Sequence, residues 1–154
     1  MIIGFLGTGV ITEAIIRGLY DIGIYDGTIL VSKRSTTRSA KLAGDYPKVR
    51  VVEDNRQLTE ESDWIIVSVL PEQVCDVLSE INCRAEQKII SLAAGVSLEQ
   101  LHTWAAPATD IIRVIPMPPI EHGLGPVAMC PADAGTETLF EKIGTCVAVS
   151  DEAQ

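Results

Sequence analysis

Gly7 and Gly9, two residues apart in the run MIIGFLGTGVIT, have the type and spacing best suited to a chemical task. A glycine at 7 lets the chain leave an apolar strand in a tight turn. One at 9 puts no side chain between an anion and the backbone N–H groups of a helix start. That pairing is the chemistry of a pyrophosphate cradle. It also marks ordinary strand-to-helix turns, and context decides between the two. Ile2, Ile3, Phe5 and Leu6 before the pair read as a buried strand. Ile11, Ile15, Gly18, Leu19 and Ile22 after it keep helical spacing from about Val10 to Ile22. The third position of the G-x-G-x-x-G pattern holds Thr12, where glycine or alanine usually allows close packing; this predicts a wider helix–strand approach or an alternative rotamer.

A second group of chemical residues is Ser32-Lys33-Arg34-Ser35, at the end of the predicted strand Thr28–Val31. In a dinucleotide fold this strand end faces the adenosine ribose, where an acid would bind a 2′-hydroxyl. No acid stands there, and Asp26 precedes the strand, at the opposite edge of the sheet. From Gly27 through Gly44 there is no Asp or Glu, while Lys33, Arg34, Arg38 and Lys41 supply four of the twelve basic residues. Guanidinium and hydroxyl donors are natural partners of a phosphate monoester, which favours NADP(H) over NAD(H). The alternative, a solvated helix face, accounts readily for Arg38 and Lys41 but less well for the Ser-Lys-Arg-Ser cluster.

Three further stretches belong to the same cleft. Asp54-Asn55 opens a helix running to about Glu61, and Asn55 is either part of its cap or an amide beside the adenosine. Leu70-Pro71 ends the apolar strand Asp63–Val69 and forms the other lip of the cleft, since ligands lie outside the carboxyl ends of strands where strand order reverses. Ala93-Ala94-Gly95 follows the strand Lys88–Leu92. Its small side chains let a flat ring approach the backbone, or simply make a tight loop.

No catalytic group is evident. His102 reads as a surface or boundary residue, and His122 follows the prolines near the expected cleft mouth without a partner at diagnostic spacing. G-x-S-x-G and G-x-x-x-x-G-K-[ST] are absent, and Trp64 and Trp104 read as packing residues. A cofactor site without its own reactive side chain suits hydride transfer, where the nicotinamide carries the chemistry.

The elements that must position these residues alternate between strand and helix. Strands are expected at 2–6, 28–31, 49–52, 63–69, 88–92, 110–115, 127–130 and 146–149. Helices follow the first five, Ser97 caps Leu98–Trp104, and another helix spans Asp133–Ile143. Near-continuous apolar strands alternating with helices imply an α/β fold, a doubly wound and mostly parallel sheet with its late strands antiparallel at one edge.

The 154 residues, 47% hydrophobic and 21% charged, fit one domain with a sizeable core. A net charge of −9 argues against nucleic acid and anionic membranes as partners. No apolar run approaches the ~20 residues of a membrane span. The strand at residue 2 leaves no room for a secretion leader. Cys75, Cys83, Cys130 and Cys146 lack C-x-x-C spacing and read as reduced thiols rather than disulfides or zinc ligands, so a cytoplasmic location is expected.

Several of these runs converge. GFLGTGVITEAIIRGL, VSKRS, SVLPEQV, IISLAAGVSLEQL and RVIPMPPIEHGLG together resemble the pyrroline-5-carboxylate reductase family over essentially the whole chain. The domain type is shared with deazaflavin-dependent NADP reductases and the wider 6-phosphogluconate-dehydrogenase-like group. The resemblance implies a Rossmann NADP-binding domain of an oxidoreductase that delivers hydride to a cyclic imine and so makes proline. By the same resemblance Gly7, Gly9, Val10 and Ile11 hold the pyrophosphate, Ser32 and Arg34 the adenosine-side phosphate, and Asn55 lies by the adenosine. Val69, Leu70 and Pro71 line the cleft, Ala93, Ala94 and Gly95 flank the nicotinamide, and the loop Pro116–Pro118 approaches the substrate. The family usually shows Asn-Met-Ala at Val10-Ile11-Thr12, Lys-Pro at Leu70-Pro71 and Met-Pro-Asn at Ile115-Pro116-Met117. It also implies a further helical domain that dimerises and completes the substrate pocket, which these 154 residues do not include. The alternatives are an NADP oxidoreductase acting on a hydroxy acid or a deazaflavin, and a dinucleotide-binding module without turnover.

Overall fold

The computed structural model describes residues 1–23, 25–33, 36–116, 126–141 and 143–149. Strands β1 (Ile2–Leu6), β2 (Thr28–Ser32), β3 (Val49–Val52), β4 (Trp64–Val67), β5 (Lys88–Ser91), β6 (Asp110–Pro116), β7 (Pro126–Cys130) and β8 (Thr145–Ala148) form one sheet. Helices α1 (Val10–Asp21), α2 (Thr36–Asp45), α3 (Asn55–Glu61), α4 (Val74–Ser79), α5 (Leu98–Trp104) and α6 (Ala134–Phe140) connect them, with a 3-10 turn at Pro71–Gln73 before α4. The strand order is β3-β2-β1-β4-β5-β6-β7-β8. Every pairing is parallel except β6 with β7. The chain therefore winds from β1 outward to β3, returns to β4 on the other side of β1, and winds outward again. Strand order reverses between β1 and β4, and the crevice beyond their carboxyl ends is where such sheets bind ligands.

Both faces of the sheet are covered along β1, β2, β4, β5 and β6, which alternate their side chains between two apolar layers. Ile3, Phe5, Ile66, Ile90, Ile112 and Val114 pack with Ile15, Ile16 and Leu19 of α1, Leu42 of α2 and Phe140 of α6. Leu6, Ile65, Val67, Ile89 and Ile111 pack with Leu58 of α3, Val74, Val77 and Leu78 of α4, and Leu101 of α5. On β1 the second layer comes very close. A methyl at Gly4 would lie 2.2 Å from Ser62 Oγ and 2.5 Å from Leu58 Cδ2, so α3 can lie against β1 only because residue 4 has no side chain.

Element boundaries depart from the sequence expectation where the chain turns early. Regular β4 stops at Val67, although its ladder is extended by Asp63 N donating to Ile2 O (2.9 Å) and Ser68 N to Leu6 O (2.8 Å). The last helix is Ala134–Phe140, with Asp133 outside it as the cap, and the last strand begins at Thr145. The expected caps are present: Asp54 accepts from Gln57 N (2.9 Å), and Ser97 accepts from Gln100 N (3.2 Å) in a capping box. No disulfide joins Cys75, Cys83, Cys130 or Cys146. Among the described residues no helix is long and apolar enough to cross a membrane.

Candidate nucleotide cleft at the strand-order reversal

The turn after β1 is built around Gly7, whose φ of +94° lies in the left-handed region that side chains disfavour. Space forbids a side chain there as well, since a Cβ would stand 2.5 Å from Ser68 O. The β1 turn and the β4 turn thus touch backbone to backbone. Gly9 differs. Its φ is −97°, and a Cβ would meet nothing within 4 Å, so the glycine opens on empty space over the start of α1.

That helix start has no side-chain cap. By contrast α3, α5 and α6 are capped by Asp54, Ser97 and Asp133, while α4, also without a side-chain cap, continues directly from the 3-10 turn Pro71–Gln73. The first-turn N–H groups of a helix need acceptors, and its dipole favours negative charge there. An uncapped start on an open glycine is therefore fitted to an anion such as a pyrophosphate.

Beyond it lies a cavity of about 510 Å³ lined by Gly7, Thr8, Gly9, Val10, Ile11 and Arg38 on one side. Ser68, Val69, Leu70, Pro71 and Gln73, with Leu92, Ala93 and Ala94, line the other. Nine of the residues singled out in the sequence thus share one cavity: Gly7, Gly9, Val10, Ile11, Val69, Leu70, Pro71, Ala93 and Ala94. Val10 and Leu70 are 67% and 58% exposed at its mouth. Among its described lining residues there is no carboxylate, imidazole or amine, which suits holding and orienting a ligand rather than donating a proton to one.

The remaining candidates lie elsewhere. Gly95 takes φ +81° in the loop after β5 and is not among the cavity residues. Asn55 is the first residue of α3, and the cap is Asp54; with Asp54, Arg56 and Glu80 it lines a separate depression. Ser32 is buried at the end of β2, outside the cavity lining, and its Oγ has no hydrogen-bond partner among the described residues. Lys33 is not the unopposed cation that its local sequence suggests: its ammonium bonds both carboxylate oxygens of Glu53 (2.8 Å each), brought alongside by the β2–β3 pairing. Arg34, Ser35, Met117, Pro118 and His122 fall outside the described residues.

Arg38, which in sequence fits either the basic cluster or a solvated helix face, lines the cavity. Its Nε donates to Glu13 Oε2 (2.9 Å) and its Nη1 to Thr8 O (3.2 Å). Glu13 also accepts from Arg17 Nε (3.0 Å). Partial burial of Glu13 favours its neutral form, but the hydrogen bonds and charges of Arg17 and Arg38 outweigh that and hold its pKa below the ordinary value. The negative charge near the cradle is thereby neutralised by two guanidinium groups.

Thr12 is not idle. It is fully buried, with Oγ1 3.1 Å from Gly7 O and 2.7 Å from Ser68 Oγ. No local pattern could show this, because Ser68 is 56 residues away.

This is a doubly wound dinucleotide-binding domain, Rossmann-like and of the 6-phosphogluconate-dehydrogenase type. The chain belongs to the family described as NADP oxidoreductase, coenzyme F420-dependent, whose model matches residues 2–95. Over most of its length it is homologous to pyrroline-5-carboxylate reductases, matching their N-terminal NADP-binding domain. It is 32% identical over 128 residues to the enzyme of Corynebacterium melassecola, covering 80% of this chain and 47% of that one. The pyrroline-5-carboxylate reductase structure from Coxiella burnetii superposes with a TM-score of 0.85 at 26% identity, covering 99% of this chain and 60% of that one. The pyrroline carboxylate reductase of Plasmodium falciparum, solved with NADP bound, has the same fold (TM-score 0.81, 19% identity, 96% of this chain and 57% of that one). The chain spans about half the length of the curated relatives it matches.

Proposed function

We propose that this chain is the NADP(H)-binding domain of a pyrroline-5-carboxylate reductase-like enzyme of the cytoplasm. The reaction is hydride transfer to the cyclic imine, the step that makes proline. The observation that carries the reading is the uncapped start of α1 on Gly9, opening into a cavity at the strand-order reversal.

Bound there, NADPH supplies the hydride. The chain's own residues hold and orient. The first-turn N–H groups of α1, with Val10 and Ile11, receive the pyrophosphate. Ser32, Lys33, Arg34, Ser35 and Arg38 supply donors for the adenosine-side phosphate, and Asn55 supplies an amide for the adenosine. Val69, Leu70 and Pro71 form an apolar wall that excludes water, and Ala93, Ala94 and Gly95 leave room for the nicotinamide ring. The substrate pocket is completed by a further helical domain that also dimerises, in keeping with relatives about twice as long.

Calorimetric titration of the 154-residue chain with NADPH and NADH at equal salt tests the cofactor half of the proposal. Clear preference for NADPH supports it, and binding of neither overturns it. A second reading, an NADP oxidoreductase acting on a hydroxy acid or a deazaflavin, is favoured by the exposed apolar Val10 and Leu70, where the family usually has Asn and Lys. Turnover of a longer form with each candidate acceptor separates the two. NADPH binding without any turnover in that form would instead leave a dinucleotide-binding module.

A further inference from the structure

The hydroxyl of Thr12 reaches both lips of the cleft. Gly7 belongs to the turn after β1, and Ser68 to the turn after β4; Thr12 Oγ1 is within hydrogen-bonding distance of the first turn's carbonyl (3.1 Å) and of the second turn's hydroxyl (2.7 Å). All of this lies directly beneath the cavity, whose lining includes Gly7 and Ser68. The two turns are already in contact, since a Cβ on Gly7 would stand 2.5 Å from Ser68 O, so small changes in their separation are resisted on the near side by backbone. On the far side the β1–β4 ladder runs through the Leu6–Val67 pair and ends with Ser68 N donating to Leu6 O (2.8 Å). Past that pair, the Thr12 hydroxyl is the side-chain tie found between the two turns among the described residues.

We infer that Thr12 is a positioning residue for the dinucleotide: with Ser68 it forms a buried latch that sets the width of the cleft at the strand-order reversal. A ligand lying across both lips depends on that width, whereas one confined to the adenosine side does not. The inference rests on the dinucleotide reading of the cleft and adds to it a residue that makes no ligand contact. Threonine suits the task where alanine or glycine would not, because its methyl fills the space under the turn while its hydroxyl makes the tie. A buried hydroxyl also keeps the Gly7 carbonyl satisfied, which an aliphatic side chain would not do.

The test compares NADPH, which spans both lips, with adenosine 2′,5′-bisphosphate, which reaches only one. Thr12→Val preserves shape and removes the hydroxyl, Thr12→Ser restores it, and Ser68→Ala removes the other half of the latch from a half-buried turn. Calorimetric titration is expected to give NADPH binding about fivefold weaker for Thr12→Val and Ser68→Ala, the scale of one lost hydrogen bond. Affinity for the bisphosphate stays within about twofold of the unaltered chain, and Thr12→Ser recovers NADPH binding. Equal losses for both ligands, or no loss for NADPH in either variant, overturn the latch. If Thr12→Val does not fold, Ser68→Ala alone decides. Failure of the unaltered chain to bind NADPH removes instead the dinucleotide reading beneath it, a result distinguishable from the loss of the latch.

Discussion

Arg38 on α2 and Glu13 on α1 are joined by an ion pair of 2.9 Å across 25 residues of sequence, and the same guanidinium donates to Thr8 O in the cradle turn. The two helices that precede and follow β2, both packed in the same apolar layer, are thereby tied to the loop that would carry the phosphates. Arg38 still has N–H donors beyond these two bonds, and it borders the cavity. Arg38→Ala is therefore expected to weaken NADPH binding by about tenfold, in the range of a charge-assisted contact, and NADH binding by less. Equal effects on the two cofactors in parallel titrations would show that Arg38 does not face the 2′-phosphate.

Glu13 adds a pH dependence whose sign follows from its environment. Burial works against its charge, yet Arg17 and Arg38 depress its pKa below the ordinary 4.5. A carboxylate with a folded pKa below its unfolded one stabilises the fold fully above the unfolded value. That stability is lost as pH falls through 4.5 towards the lower folded value. Thermal denaturation from pH 7 to pH 3 should show a smaller acid loss for Glu13→Gln than for the unaltered chain. Parallel curves would assign the acid sensitivity to other carboxylates.

The two cradle glycines should respond in opposite ways to alanine. At Gly7 the positive φ and the 2.5 Å approach of Ser68 O both oppose a Cβ, so Gly7→Ala is expected to cost about 2–3 kcal/mol of stability. At Gly9 the backbone is extended and the space open, so Gly9→Ala should change stability by less than about 1 kcal/mol. Its methyl would nevertheless project into the cavity mouth and weaken NADPH binding by about tenfold or more. Denaturant unfolding and calorimetric titration of both variants separate the structural glycine from the ligand-facing one. A stable Gly7→Ala would contradict the geometry of the turn.

The contrast between these glycines also shows what could be read from the chain alone. Apolar runs alternating with helical spacing revealed the doubly wound sheet, because β1, β2, β4, β5 and β6 are covered on both faces and carry that burial in their composition. Asp54 and Ser97 were legible as caps because a cap acts within three residues. Nine cleft residues were legible because the strand ends that carry them are local features. Contacts made by the winding were not. Glu53 reaches Lys33 across 20 residues, Glu13 reaches Arg38 across 25, and Ser68 reaches Thr12 across 56. The stretch from Gly27 to Gly44 is free of acids in sequence, yet two of its cations meet carboxylates in space. Gly4 had no local mark either, since what demands it is the approach of Leu58 and Ser62.

Leu70 offers a direct test of the cofactor proposal, because it is exposed at the cleft mouth and sits where the family usually has lysine. An exposed leucine at the start of a short turn contributes little to the core, so Leu70→Lys should leave the melting temperature within about 2 °C. The new ammonium would stand at the rim of a site for an anionic ligand in a chain of net charge −9. Long-range repulsion of the dinucleotide is then partly offset, and NADPH binding should tighten about two- to fivefold at low salt. The gain should fade towards physiological ionic strength, where the screening length is about 8 Å, because the charge is solvated. Titrations at two salt concentrations measure this. A gain that persists at high salt would mean a direct lysine–phosphate contact, and no gain at either would place Leu70 away from the cofactor, at the substrate end of the cleft.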